Sequence, residues 1–228
     1  MSTPELSSTP RTALGRHRER GRTDRGELYA VLDAGLICHL GVVVGGAPRV
    51  LPTGYGRLGD VLYLHGSSAN TSFVAGGGQQ VCVTVTHLDG LVYARSVFNH
   101  SMNFRSAVVF GEARLVTSAQ ERLTALRVIA EQLAPGQWDY ARPPTRKELA
   151  ATAVLALPLA EASVKIRSGG PVDEPEDYAL DVWAGVLPVT SGFGVAEPAA
   201  ALRARIAVPP HVVARPWGQR SLRPTQEG

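Results

Sequence analysis

The chain has 228 residues, a mass of 24.2 kDa, 44% hydrophobic and 19% charged residues, and a formal net charge of +3. That is enough chain for a substantial core without disulfides, and too apolar for a wholly disordered protein. No apolar run reaches the roughly 18 residues of a spanning helix, so no membrane partner is expected. Met1–Arg25, polar and arginine-rich, lacks the apolar stretch of a secretory signal.

The only cysteines, Cys38 and Cys82, lie in apolar runs and match no zinc spacing. They read as buried thiols in a reducing, cytoplasmic setting, with no metal site. Of the 23 basic residues only Lys147 and Lys165 are lysines. Arg11, Arg16, Arg18, Arg20, Arg22 and Arg25 crowd one end, and Arg203, Arg205, Arg215, Arg220 and Arg223 the other. Acidic neighbours dilute the first cluster and no aromatics interleave either, so both read as solvated tails rather than a nucleic-acid surface.

Residues 1–24 are expected to form a flexible arm, 25–190 one domain, and 191–228 a helix over about 196–206 with a Pro/Arg-rich tail. Glu27–Ala34 has helical spacing, with Asp24 as its cap. Six strands are predicted between residues 36 and 116. They are Leu36–Val44, Pro48–Thr53, Asp60–His65, Gln80–His87, Leu91–Phe98 and Arg105–Val116. Gly45-Gly46 and Asp89-Gly90 read as two-residue hairpin turns, and Gly54–Gly59 as a longer one. A short helix is predicted at Ser72–Ala75, ended by Gly76–Gly78. Ser118–Leu133 is an amphipathic helix capped by Ser118, and Thr145–Ala151 a shorter one capped by Thr145. Ala153–Leu159 and Ala162–Arg167 complete the strands. Hairpins outnumber helical crossovers. The predicted class is therefore mainly β, a six-stranded antiparallel barrel with flanking helices.

No GxGxxG after a strand, Walker loop, GxSxG or HExxH is present. Two strand-to-loop segments carry the candidate chemistry. In Tyr63–Thr71 a strand delivers His65 to a loop of Gly66, Ser67, Ser68, Asn70 and Thr71, whose hydroxyls and backbone N–H groups suit a phosphate. In Phe98–Ser106, His100, Asn103, Arg105 and Ser106 enter a strand, with Arg105 able to pair bidentately with an anion. His39 and His87 read as core or rim histidines. Asp173, Glu174, Glu176 and Asp177 read as a solvated acidic loop.

At these segments the chain resembles the flavin-binding split-barrel proteins related to pyridoxamine 5′-phosphate oxidase, and within them the nitroimidazole-reductase-like branch. The matching stretches are LDAGLICHLG (32–41), PRVLPTGYGR (48–57), LYLHGSSAN (62–70), VCVTVTHLDGLVYARSVFNHSMNFRSAVVFGEARLV (81–116), PGQW (135–138), SVKIRSGGPVDEPEDY (163–178) and VWAGVLPV (182–189). The resemblance implies a homodimer with a flavin in each of two clefts between subunits. Leu51, Pro52 and Thr53 would run beside the ring. His65, Gly66, Ser67, Ser68, Asn70 and Thr71 would surround the phosphate, and Asn103, Arg105 and Ser106 would approach from the other segment. Trp183 would close the cleft, and His100 would touch a small organic substrate. The oxidase's basic Arg-Lys pair is replaced here by Ser68-Ala69-Asn70-Thr71, which argues against oxidation of pyridoxamine phosphate itself. The expected cofactor is FMN, with FAD, F420 or haem as alternatives. The expected activity is that of a flavin-dependent oxidoreductase. A non-enzymatic flavin or haem carrier or sensor is the rival, with His39, His65, His87 and His100 as candidate axial ligands.

Overall fold

The computed structural model describes residues 5, 6, 8–203 and 206–215. Its strands are β1 (Gly21–Arg22), β2 (Ile37–Val44), β3 (Ala47–Leu58), β4 (Val61–Ser67), β5 (Gln79–Tyr93), β6 (Ser101–Leu115), β7 (Thr152–Pro158), β8 (Glu161–Arg167) and β9 (Gly185–Pro188). The α-helices are α1 (Arg25–Ala34), α2 (Thr71–Val74), α3 (Ala119–Leu133), α4 (Gln137–Tyr140), α5 (Arg146–Ala150) and α6 (Pro210–Val213).

Six antiparallel strands close a ring in the order β6-β7-β4-β3-β2-β5, with β5 returning to β6. β6 meets β7 only at Arg114 and Leu115. Over Phe104–Phe110 the same edge pairs with β8 instead, which carries β1 on its far side. β9 extends the free edge of β5. The ring interior is apolar, and Leu40, Leu62, Leu64, Val83, Val109, Leu155 and Leu157 are fully buried in it. Each such side chain contributes about 1.5–3 kcal/mol of burial. α1 packs Leu28, Val31 and Leu32 into the same core. α3 lays Ala125 and Ile129 against a second cluster with Tyr63, Val154 and Ala156.

The local signals hold where they depend on neighbours in sequence. Asp24 caps α1 through Gly26 N, Ser118 caps α3 through Glu121 N, and Thr145 forms a reciprocal box with Glu148. Gly45 and Gly46 both have positive φ, 59° and 80°, and join β2 to β3 in register.

Two predicted turns are corrected. β3 runs straight through Gly54 and Gly56 and turns only at Gly59, whose φ is 57°. Those glycines admit α3: a Cβ on Gly56 would lie 2.7 Å from the Val128 carbonyl oxygen, and one on Gly54 2.9 Å from Leu133. Asp89-Gly90 is not a hairpin turn either. β5 continues to Tyr93 with a shift of register between Leu88 and Gly90. Gly90 lies so close to β9 that a Cβ would meet Val186 Cγ1 at 3.1 Å. Residues 36–116 therefore hold five strands, and β7 supplies the sixth of the ring.

Both ends differ from expectation. Residues 8–24 do not form a loose arm, for they pack along the barrel. Leu6 is buried, with its N–H donating to Thr23 O at 2.7 Å, and Arg11 pairs with Glu161. No helix forms over Ala196–Arg203, and the short α6 follows instead. Leu202 and Ile206 stay exposed, so a helix there would have no packed face to stabilise it. Arg205, Arg220 and Arg223 lie outside the described residues. Among the described residues no helix is long and apolar enough to cross a membrane. No cluster of three or more metal-ligating side chains occurs among them.

Candidate functional site

The ring is split on one side. β3 pairs with β4 only from Tyr55 to Leu58, whereas Ala47–Gly54 pair with β2 alone. β4 in turn gives His65, Gly66 and Ser67 to β7. A gap opens between Leu51–Thr53 and the loop after His65. One edge of β3 therefore has backbone groups with no strand partner, which suits the polar edge of a planar ligand. Thr53 Oγ1 crosses the gap to donate to the His65 carbonyl at 3.0 Å.

The loop from Ser67 to Thr71 is exposed, as a ligand-binding loop must be. Part of its hydrogen-bonding capacity is already used. Asn70 Oδ1 caps α2 by accepting from Phe73 N at 3.1 Å, and Ser67 Oγ accepts from Ala69 N at 3.2 Å. Gly66 lies against the Phe73 ring, 2.8 Å from where a Cβ would sit. The cation missing from the loop itself arrives from β3. Arg49 Nη1 donates to Ser72 Oγ at 2.6 Å, at the loop's far end. Sequence reasoning missed Arg49, because nothing local links it to a loop some twenty residues later.

Asn103, Arg105 and Ser106 lie on β6, between β5 and β8, and do not join this loop within one chain. Arg105 is committed to Asp89 by two hydrogen bonds. Asn103 donates to Gly169 O at 3.1 Å and accepts from Arg167, while Ser106 donates to Lys165 O at 3.3 Å. Trp183 is exposed and tilts against Tyr93 with ring centroids 5.8 Å apart; His100 makes a T-shaped contact with the same ring at 5.7 Å. Tyr93 thus joins two predicted site residues and was not itself predicted. The acidic loop is not all solvated. Asp173 is buried and accepts from Arg95 N at 2.8 Å, Ser96 N at 3.3 Å and Arg95 Nη1 at 3.1 Å. Burial alone would raise its pKa, but these donors outweigh burial and lower it.

A pocket of about 490 Å³ is lined by His65, Leu126, Trp138, Arg142, Pro143, Glu148, Leu149 and Thr152. Its size suits a cofactor or drug-sized molecule. The Arg142 guanidinium, with Thr145 N–H, holds the Glu148 carboxyl at a pKa of about 2. His65 Nδ1 is buried with no partner at hydrogen-bonding geometry. Burial pushes the imidazole pKa down, and the nearby Gly54 backbone offsets this only in part. The other histidines proposed as ligands are differently placed. His87 Nε2 contacts Val31 O at 2.9 Å, His100 Nδ1 contacts Ser96 O at 2.9 Å, and His39 lies exposed on β2. Of the residues lining this pocket, the sequence singled out His65 as a site candidate.

Residues 24–166 match the family model described as pyridoxamine 5′-phosphate oxidase. The chain belongs to the pyridoxamine 5′-phosphate oxidase family. No curated protein matches it in sequence. Among solved structures it is similar to the flavocytochrome Anf3 from Azotobacter vinelandii, at 39% identity over 93% of this chain and 100% of that one, with a TM-score of 0.88. It is also similar to an FAD and haem binding protein from Mycobacterium smegmatis, at 36% identity over 85% of this chain and 96% of that one, TM-score 0.82. A 5-nitroimidazole antibiotic resistance protein from Bacteroides thetaiotaomicron shares the fold at 20% identity over 64% of this chain and 86% of that one, TM-score 0.55. The family's barrel is thus present in this chain.

Proposed function

We propose that this protein is a flavin- and haem-binding oxidoreductase, active as a homodimer on a small molecule. The observation that carries the reading is His65. It lines a large, mainly apolar pocket, and burial lowers its pKa, which favours the neutral imidazole an iron ligand requires. Trp138, Leu126 and Leu149 would exclude water. When bound, haem and flavin supply the electron-transfer chemistry that side chains lack.

The flavin belongs in the split between β3 and the loop after His65. Leu51–Thr53 would run along the ring, and Arg49 with Ser68 and Thr71 would meet the phosphate. Two relatives above 30% identity are a flavocytochrome and an FAD and haem binding protein, which supports FAD over the FMN first expected, and haem as a second cofactor. A second subunit would bring Asn103, Ser106 and Trp183 to the cleft. The exposed Ile37, Val43 and Val50 on the β2–β3 hairpin, with Val97, Phe98 and Met102 before β6, supply apolar surface for such contact.

The test is the absorption spectrum of the purified protein, with extracted cofactors identified by mass. Flavin bands together with a Soret band are expected. His65→Ala should lose the Soret band and retain the flavin. A protein that takes up neither flavin nor haemin in titration would overturn the reading.

A further inference from the structure

A second pocket, of about 270 Å³, lies where the N-terminal segment meets the end of β8. Pairing of Gly21 with Lys165 and of Arg22 with Val164 brings Arg20 and Arg22 beside Arg167, and all three line the pocket with Glu19, Ser168 and Gly170. Two distant arginines and a third from β8 thus share one small concavity.

Their charge is poorly neutralised. Arg167 bonds only neutral acceptors among the described residues: Asn103 Oδ1, Gly169 O at 3.4 Å and Gly170 O at 3.1 Å. Arg20 has Glu19 at 3.6 Å, but that carboxylate is mostly exposed and shared with His17. Arg22 donates to Glu19 O and Gly21 O, and its carboxylate partner is Glu27 at 3.4 Å, which does not line the pocket. Burial and repulsion from Arg20 both lower the Arg167 pKa. Holding like charges together in a half-buried pocket costs free energy that a bound anion recovers.

We propose that Arg20, Arg22 and Arg167 form a binding site for the phosphoryl groups of a phosphate ester or diphosphate. Planar guanidinium forks match phosphate oxygens two at a time, and arginine rather than lysine is the residue for that task. Asn103, which accepts from Arg167, ties the site to the β6 residues of the flavin cleft. The function proposed above places the flavin phosphate at Arg49, Ser68 and Thr71, so the phosphoryl groups here belong to a separate phosphorylated ligand.

The test is calorimetric titration with inorganic pyrophosphate, on the protein carrying its cofactors and after their removal. Binding is expected in at least one form. Arg167→Gln and Arg20→Gln should each weaken it about tenfold or more, as the loss of a charge-assisted contact does. Among the described residues the Arg20 side chain pairs with exposed Glu19 alone, so its substitution is informative even if Arg167→Gln fails to fold. Binding unaffected by added FAD is expected of a separate ligand; binding abolished by FAD would give the site to the flavin and overturn the proposal. No pyrophosphate binding in either form, or binding that Arg20→Gln leaves unchanged, overturns it. Absent flavin and haem bands would instead overturn the cofactor reading while leaving this titration interpretable.

Discussion

Arg105 on β6 and Asp89 on β5 face each other through two parallel hydrogen bonds, Nε to Oδ2 at 2.9 Å and Nη2 to Oδ1 at 2.8 Å. Asp89 sits where the β5–β6 register shifts, so the pair pins the irregular part of the ladder. A guanidinium held this way has little capacity left for a phosphate. Arg105→Gln should lower stability by about 1–2 kcal/mol, the loss of a half-buried charged contact. Flavin content per folded protein should stay near that of the parent. Flavin lost at unchanged stability would return Arg105 to the cofactor site.

Arg49 is the cation placed at the loop after His65. Arg49→Gln should weaken flavin binding by roughly ten- to a hundredfold, measured by fluorescence titration of the stripped protein. Stability should change by no more than about 0.5 kcal/mol, because Arg49 is an exposed residue with one hydroxyl partner. Unchanged flavin affinity would place the phosphate elsewhere.

His65 and His87 both have pKa values lowered from 6.5, chiefly by burial. The unfolded chain therefore binds protons at a higher pH than the native one. Their contribution to stability is complete above about pH 6.5 and declines as pH falls through the folded-state values. Urea unfolding of the cofactor-free protein should show a falling free energy between about pH 7 and pH 5, above the range where ordinary carboxylates titrate. Replacing both histidines with Gln should flatten that slope. An unchanged slope would assign the effect to other groups.

Gly56 is where α3 touches β3 most closely. Gly56→Ala would place a Cβ 2.7 Å from the Val128 carbonyl oxygen and 2.8 Å from Ile129 N. Backbone atoms cannot rotate away as a side chain can, so α3 must shift. A loss of about 1–3 kcal/mol is expected by chemical denaturation. Gly15→Ala, with no atom within 4 Å of the added Cβ, serves as the control that should change little.

Asp173 fastens the segment that carries Trp183. Asp173→Ala leaves Arg95 N and Ser96 N without their acceptor. The melting temperature should fall, and protease cleavage between residues 172 and 184 should accelerate. Protection equal to that of the parent protein would show that the Tyr93–Trp183 contact holds the segment unaided.

The parts of this fold legible in the sequence are those set by neighbouring residues. Asp24, Ser118 and Thr145 each cap a helix through a backbone N–H two or three positions ahead, so side-chain chemistry and spacing suffice. Gly45 and Gly46 make a turn because both need positive φ, whatever surrounds them. The alternation along β5 and β7–β8 and the motif around His65 carried the barrel and the family.

What a glycine or an arginine is for, by contrast, depended on distant chain. Gly54, Gly56 and Gly90 sit in extended strands because α3 and β9 approach their backbones, an approach decided by packing many residues away. Arg105 looked like a free cation until β5 set Asp89 opposite it, and the loop at Ser68–Thr71 lacked a cation until β3 delivered Arg49. His65, His87 and His100 are chemically equal in sequence. Only the fold gave His87 the Val31 carbonyl and His100 the Ser96 carbonyl, leaving His65 beside an open pocket, because a partner is a matter of distance in space rather than along the chain.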